Sequence, residues 1–472
     1  MKLHLFILLT FYALSCSALS SEQLEHKALR LAREYKKNPT NTTVIIDLAN
    51  TLNKLDRDIE SMELYLKILE MHPHCLNALY NFGFTLKKQG RFDQAIKVYD
   101  KVLEQKSDYA PARFSRAHAL LATGDFKRGW QEYEWRWQAY DESPRKFNVP
   151  IWDGSSIEGK RILVYAEQGL GDTLQFIRYA QLLKKDGAIV VVETQSPLAP
   201  LLSLCPYIDE LYERSDTIPF VDVHIPLMSL PRIYETRLNT IPNAMPYLHA
   251  DEQLIDYWRD YLSHDPHFKI GICWQGNANY STESLRRTVA KKSLPLNILA
   301  RITTIPGVSV YNLQHIHGTE QLNSLETSGK IHCFGPEFDE LNGRFMDTAA
   351  IIKNLDLVIT VDTSIAHLSG ALGTPTWILL QKVADWRWLQ NRTNSPWYPT
   401  AQLFRQTTFG DWDGVIDDVC TALKERVNNK QHNDVCKKIL NIIDTTLRNS
   451  NDSIQSQCDY LSRTDLIHFR NI

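Results

Sequence analysis

The chain has 472 residues, 43% of them hydrophobic and 23% charged, with a formal net charge of -3, a length and composition that fit two or three soluble globular domains. A balance this near neutrality excludes nucleic-acid binding driven by phosphate contacts. The eleven Trp and twenty Tyr gather at Trp130 to Tyr140 and Trp386 to Tyr398, as packing clusters do more often than ligand platforms.

Residues 1–20 read as a secretory signal peptide. Lys2 supplies a weak positive region, Leu3 to Leu14 an apolar core, and Ser15, Ser17, Ala18 and Ser20 the small residues of a cleavage region. The apolar stretch is short of the ~20 residues a membrane-spanning helix needs. The expected location is the secretory pathway or another extracytoplasmic compartment, or the cytoplasm if the signal is misread; an uncleaved anchor is the alternative. Eight cysteines less Cys16 leave seven, scattered and with no C-x-x-C pair, so neither a zinc site nor a dense disulfide framework is indicated.

Residues 22–140 are helical in pattern, and the pattern repeats. Gly90-Arg91-Phe92 and Gly124-Asp125-Phe126 lie 34 positions apart (124 − 90). The same offset relates Tyr65, Tyr99 and Tyr133, and also Ala49, Gly83 and Ala117. This is the tetratricopeptide period, one helix pair per repeat. The unit before Asn77–Ser107 is degenerate, with Asp56 where the turn glycine belongs, and three units are near the minimum for a self-supporting stack. The array offers a surface for a protein partner; the plainer alternative, preferred for so short an array, is a brace for the next domain.

Residues 141–159 read as a packed linker around Trp152. Strand–helix alternation follows twice, over 160–262 and from Lys269 into the half spanning 263–428, which predicts two doubly wound units facing each other. In the first, Ile162 to Tyr165 is a buried strand. It breaks through Gly169-Leu170-Gly171 into a helix opened by Asp172 and carrying Gln175. Missing β-carbons let a ligand approach the backbone, and the N–H groups of a helix's first turn point outward. Asp172 either caps that helix or accepts a proton from a ligand. In the second unit the strand ending at Trp274 leads to Gln275-Gly276-Asn277, the next ends at Gln314, and Leu357 to Asp362 leads to Thr363-Ser364-Ile365-Ala366-His367. A hydroxyl-rich helix start suits a diphosphate; an ordinary N-cap is the alternative, and His367 reads equally as a packed histidine. Arg286 and Arg287, with Lys291 and Lys292, read as a basic loop, either solvated or phosphate-binding. The tail, 429–472, is polar.

The stretches EQGLGDTLQFIRYA (167–180), ICWQGN (272–277), VDTSIAHLSGALGTPTWILL (361–380) and DWRWLQNRTNSPWYPTAQLFRQ (385–406) resemble tetratricopeptide proteins that carry a heptosyltransferase-like glycosyltransferase domain of the GT-B fold. YEWRW at Tyr133–Trp137 and PIWDG at Pro150–Gly154 resemble the junction of that group, and the likeness spans roughly residues 43 to 425. The fold class this implies is α followed by α/β: helical repeats, then a two-half, twin Rossmann-like GT-B domain with the acceptor on the first half and the donor on the second. The implied activity is metal-independent transfer of a sugar from a nucleotide-sugar donor to a glycan or protein acceptor, with no cofactor. Asp172 is then the general base, beside the acceptor-side turn Gly169, Gly171 and Gln175. Asn277, Arg286, Arg287, Gln314, Asp362, Thr363, Ser364 and His367 are the expected donor contacts. The alternative is a catalytically inactive tetratricopeptide scaffold that keeps the glycosyltransferase fold.

Overall fold

The computed structural model describes residues 20–432 apart from 141–144, 215, 280–282 and 325–329. The signal peptide and most of the polar tail therefore lie outside the described residues. The tail expected from 429 starts inside a helix that runs over residues 412–432.

The first part is helical throughout: α1 (Ser21–Lys37), α2 (Thr42–Lys54), α3 (Asp58–Met71), α4 (Leu76–Lys88), α5 (Phe92–Gln105), α6 (Ala110–Thr123) and α7 (Phe126–Tyr133), with a last turn at Arg136–Ala139. Between paired helices the chain turns through left-handed backbone at Asp56 (φ 60°), Gly90 (φ 73°) and Gly124 (φ 89°). Glycine takes this conformation at no steric cost, and Asp is among the few side chains that tolerate it. The degenerate unit thus folds like its neighbours. The small residue at the helix crossing is a steric requirement: a β-carbon on Gly83 would stand 2.8 Å from Tyr99 Cε1.

The second part holds two all-parallel sheets. Strands β1 (Arg161–Tyr165), β2 (Ile189–Thr194), β3 (Glu210–Glu213) and β4 (Val223–Pro226) are ordered β3-β2-β1-β4. Strands β5 (Phe268–Cys273), β6 (Val308–Asn312), β7 (Ile331–His332), β8 (Leu357–Val361), β9 (Thr376–Leu380) and β10 (Ala401–Arg405) are ordered β10-β9-β8-β5-β6-β7. Helix α8 (Leu170–Phe176) follows β1, α9 (Glu252–Ser263) joins the halves, and α10 (Glu283–Lys292), α11 (Met346–Lys353) and α12 (Ser364–Ala371) belong to the second. β8 and β9 are buried along their whole length, as the interior strands of a two-faced parallel sheet must be. One feature departs from the sequence reading. The expected basic loop is helix α10, whose Glu283 pairs with Arg286 and Arg287 one turn on and whose last turn carries Lys291 and Lys292. Both arrangements favour a helix.

The two aromatic clusters meet where the parts join. Trp130 packs edge-on to Trp386 at 5.3 Å and to Phe176 at 6.0 Å, while Phe126 stacks on Trp397 at 6.0 Å. Arg136, only 2% exposed, bonds Glu167 at 2.8 and 3.0 Å and Ser229 at 2.9 Å. In the described part of the linker the Trp152 backbone N–H donates to the His224 carbonyl at 2.8 Å, and its ring is buried.

Candidate functional site

The glycine turn after β1 sets Asp172 in the first turn of α8. One carboxylate oxygen, Oδ2, accepts the Gly169 N–H at 2.8 Å. The other, Oδ1, accepts from Arg387 of the second half. That guanidinium also donates to Asp385 at 2.8 Å and to Gln175 at 2.7 Å, and it lies 4.3 Å from the Trp386 ring centroid. Burial works against charge on Arg387, but Asp385 and Asp172 more than offset it and keep it protonated. Burial pushes the Asp172 carboxyl above its usual range, against the pull of Arg387 and the Gly169 N–H. Burial would raise Asp385 too, but Arg387 overrides it and holds that carboxyl low. Two acids of one type thus sit on one cation with displaced affinities of opposite sign, an arrangement functional sites use to separate roles.

Directly across the seam lies the start of α12. Thr363 caps it, its hydroxyl accepting the Ile365 N–H at 3.3 Å and lying 3.2 Å from Thr360 Oγ1. Asp362, Thr363 and Ser364 are all partly exposed. Lys292, at the end of α10, stands 3.8 Å from Asp362. The halves touch here: a β-carbon on Gly171 would fall 2.8 Å from His367 Cδ2 and 3.7 Å from the Ser364 α-carbon. Gly171 is needed for a backbone-to-helix approach between the halves.

The other five expected donor contacts have partners of their own. His367 is an interior group: its Nδ1 pairs with Tyr398 Oη at 2.8 Å, its ring stacks on Trp388 at 5.4 Å, and burial drives it far below its usual range into the neutral form. Gln314 is a clasp between loops, its Oε1 accepting from the Trp274 and Gln275 N–H groups at 3.1 and 3.0 Å and its Nε2 donating to Gln275 and His317 carbonyls. Arg287 turns to the helical array and donates to the Lys54 carbonyl and to Ser21 Oγ at 2.7 Å; Arg286 pairs with Glu283 at 3.1 Å. A helix, unlike a loop, fixes which way each basic residue points, and α10 turns Lys292 toward the seam and Arg287 away from it. Asn277 is exposed and accepts the Asn279 N–H at 2.9 Å in a local turn. Sequence reasoning passed over Arg387 and Asp385, which lie in an aromatic run whose tryptophans drew attention before its charges, and it named Lys292 only as one of four basic residues in a loop.

A cavity of about 1370 Å³ opens between the concave face of the repeats and the second half, and Asp385 and Trp386 form part of its wall.

Two parallel-sheet halves of Rossmann type, meeting at the carboxyl ends of their strands behind a run of tetratricopeptide helices, define a repeat protein with a GT-B-like domain. A tetratricopeptide repeat family model matches residues 86–129. Protein FlbA of Caulobacter vibrioides is 25% identical over 421 residues, covering 82% of this chain and 68% of that protein. A glycosyl transferase family 9 structure from Veillonella parvula aligns with TM-score 0.44 and 13% identity over 59% of this chain and 100% of its own. The ADP-heptose lps heptosyltransferase II of E. coli aligns with TM-score 0.40 and 14% identity over 57% of this chain and 99% of its own.

Proposed function

We propose that the chain is a glycosyltransferase that moves a sugar from a nucleotide-sugar donor to the hydroxyl of a glycan or protein acceptor. The observation that carries this reading is the contact of Gly171 with Ser364 and His367, which holds the Asp172 turn of one half against the α12 helix start of the other. The donor diphosphate lies at that start, against the Ser364 N–H, the Thr363 and Ser364 hydroxyls and Lys292; Asp362 orients the loop through Lys292. The acceptor hydroxyl oxygen bonds to the anomeric carbon of the sugar. The bond from that carbon to the diphosphate oxygen breaks, and its electron pair leaves with the nucleoside diphosphate. The hydroxyl proton passes to Asp172, whose oxygens each keep a lone pair beyond the bonds to Gly169 and Arg387, and whose raised proton affinity suits a base. No metal and no cofactor enter this scheme. Exposed sequons at Asn41, Asn279 and Asn391 and the N-terminal leader fit a lumenal compartment that imports the donor.

The test is to incubate the full chain with a panel of sugar nucleotides and follow donor hydrolysis and thermal shift beside Asp172→Asn. Turnover that the substitution abolishes supports transfer. A thermal shift with no turnover favours the inactive scaffold, and no shift with any donor removes the claim.

A further inference from the structure

Asp56 occupies a turn that Gly90 and Gly124 fill in the next two units. At φ 60° it holds a conformation that glycine takes freely and that a β-carbon makes costly, so its side chain has to account for its presence. The array itself has little need of that carboxylate. Lys88, its partner there at 3.1 Å, is already held by Asp58 at 2.7 Å and by the Asn53 carbonyl at 3.1 Å. The closer partner is the Lys291 ammonium of α10, 235 positions further on (291 − 56), at 2.6 Å. Burial pushes the Asp56 carboxyl up, but the bonds from Lys291 and Lys88 more than offset this and hold it below its usual range. Arg287, one turn before Lys291, reaches the same end of the array. It donates to Ser21 Oγ at 2.7 Å and to the carbonyl of Lys54, in the last turn of α2, where helix carbonyls lack partners. Helix α10 depends on this grip. Among its described residues only Val289 is buried, packed on the polar turn after β5, where a β-carbon on Gly276 would meet Val289 Cγ1 at 3.2 Å and Lys292 Cε at 3.8 Å. Just past the helix the Leu294 N–H ties the chain to the Trp274 carbonyl at 2.9 Å. One apolar contact and one tie fix where the end of α10 lies and leave its rotation to the polar groups on its flanks. Successive helix residues point about 100° apart. The hold on residues 287 and 291 is therefore what aims Lys292 at Asp362, 3.8 Å away.

We propose that Asp56 is a positioning residue for the donor: its bond to Lys291 sets the rotation of α10, that rotation turns the Lys292 ammonium onto the diphosphate, and donor affinity depends on a carboxylate of the helical array. The proposal rests on the glycosyltransferase reading for the place of the diphosphate. Lys292 supplies one charge-assisted contact there. The Asp56–Lys291 pair is exposed and such pairs are individually weak, so the array tunes the affinity and does not create it. Coupling between two sites is reciprocal: a displacement of the first helix pairs weakens the donor, and a bound diphosphate tightens the array on α10.

Isothermal titration of the full chain with inorganic pyrophosphate, ADP and UDP as diphosphate probes tests it. Asp56→Gly suits the turn and removes only the carboxylate. With the probe that binds, its dissociation constant should rise roughly three- to fivefold, the range of one exposed ion pair. Lys291→Met should do the same, and the double variant should bind no more weakly than either single one, because both break one contact. Lys292→Met should cost roughly tenfold, the size of a charge-assisted hydrogen bond, and in that background Asp56→Gly should change nothing. Losses from Asp56→Gly and Lys291→Met that add up would place Lys291 on the diphosphate itself and overturn the proposal. An Asp56→Gly loss that survives Lys292→Met overturns it too. A site that depends on Lys292 and ignores Asp56 overturns the proposal and leaves the transferase standing. Binding that depends on Asp56 through Lys292, with no turnover of any sugar nucleotide, keeps the proposal and sinks the transferase. No binding of any probe by the native chain overturns both.

Discussion

Replacing Arg387 by Met removes one cation from between two carboxylates while keeping most of the stem that packs on Trp386. The side chain is 8% exposed, Asp172 21% and Asp385 36%. Breaking a fully buried pair costs about 3–5 kcal/mol because a charge is stranded. Here the stranded partners are partly wet, so solvent screening brings the cost to about 2–3 kcal/mol. A unit of 150–250 residues loses roughly 2–4 °C per kcal/mol, so the melting midpoint of the α/β part should fall by roughly 4–12 °C. A second effect has a definite sign. Arg387 is the main brake on the upward displacement of Asp172, so without it Asp172 holds its proton to higher pH. The acid limb of kcat/KM against pH should move to higher pH, each unit corresponding to about 1.4 kcal/mol. The assays are differential scanning fluorimetry and a pH–rate profile of donor turnover. A midpoint within 1 °C of the native chain, together with an unmoved acid limb, would refute the argument that this guanidinium sets the state of Asp172.

Gly171→Val should lower stability by about 1–3 kcal/mol through overpacking and, by forcing His367 and Ser364 away, cut turnover roughly 100-fold. Gly169→Ala should be far milder, since its φ is -74° and its β-carbon would meet only Asp172 Oδ2, at 3.3 Å; both are read by kinetics beside fluorimetry. His118 is pulled down to about 3, chiefly by burial and then by Lys87 and Arg387, with Asp385 opposing. The unfolded chain therefore binds a proton at this site between about pH 6.5 and 3 that the folded chain refuses, and stability falls as pH drops through that window. His118→Phe should flatten the fall in urea titrations at pH 4 to 7. Asp56→Gly relieves left-handed backbone but loses the contacts to Lys88 and Lys291, so its effect should stay within about 1 kcal/mol, whereas Asp56→Ala keeps the strain, loses the contacts and should cost about 1–2 kcal/mol by urea denaturation.

The repeat period, the two parallel-sheet units and their order could be read from the sequence because each rests on a local rule. A helix pair needs its small crossing residue at Ala49, Gly83 and Ala117, and an interior strand such as Leu357 to Val361 has to be apolar throughout. β10 escaped because Ala-Gln-Leu-Phe-Arg lies at a sheet edge, exposes Gln402 and keeps Arg405 half-buried, so its polarity differs little from that of a loop. Lys292 and Arg287 look alike in sequence; only the rotation of α10 separates the one beside Asp362 from the one against Lys54. His367 shows the opposite limit. Its place after Asp362 fitted a ligand contact and a packed histidine equally, and the partners that make it an interior group, Trp388 and Tyr398, lie 21 and 31 positions further along (388 − 367, 398 − 367).

Whether the repeats are a brace or a recognition surface turns out to be a poor division. The three-residue turn Trp386–Trp388 is gripped from one side by Trp130 and Tyr133 of α7, at 5.3 and 6.1 Å, and from the other by Phe176 of the glycine-turn helix, at 6.4 Å. Arg387 lies in the middle of that turn, so its aim at Asp172 depends on aromatic packing supplied partly by the array. The same array presents Lys87 and Asn81 to the cavity that Asp385 also lines. A contact made at the repeats and the orientation of the carboxylate at the seam therefore share one rigid piece of chain, and interiors this closely packed transmit displacements instead of absorbing them. Trp130 and Tyr133 brace the turn while Lys87 and Asn81 face the cavity, so both faces belong to the same helical array.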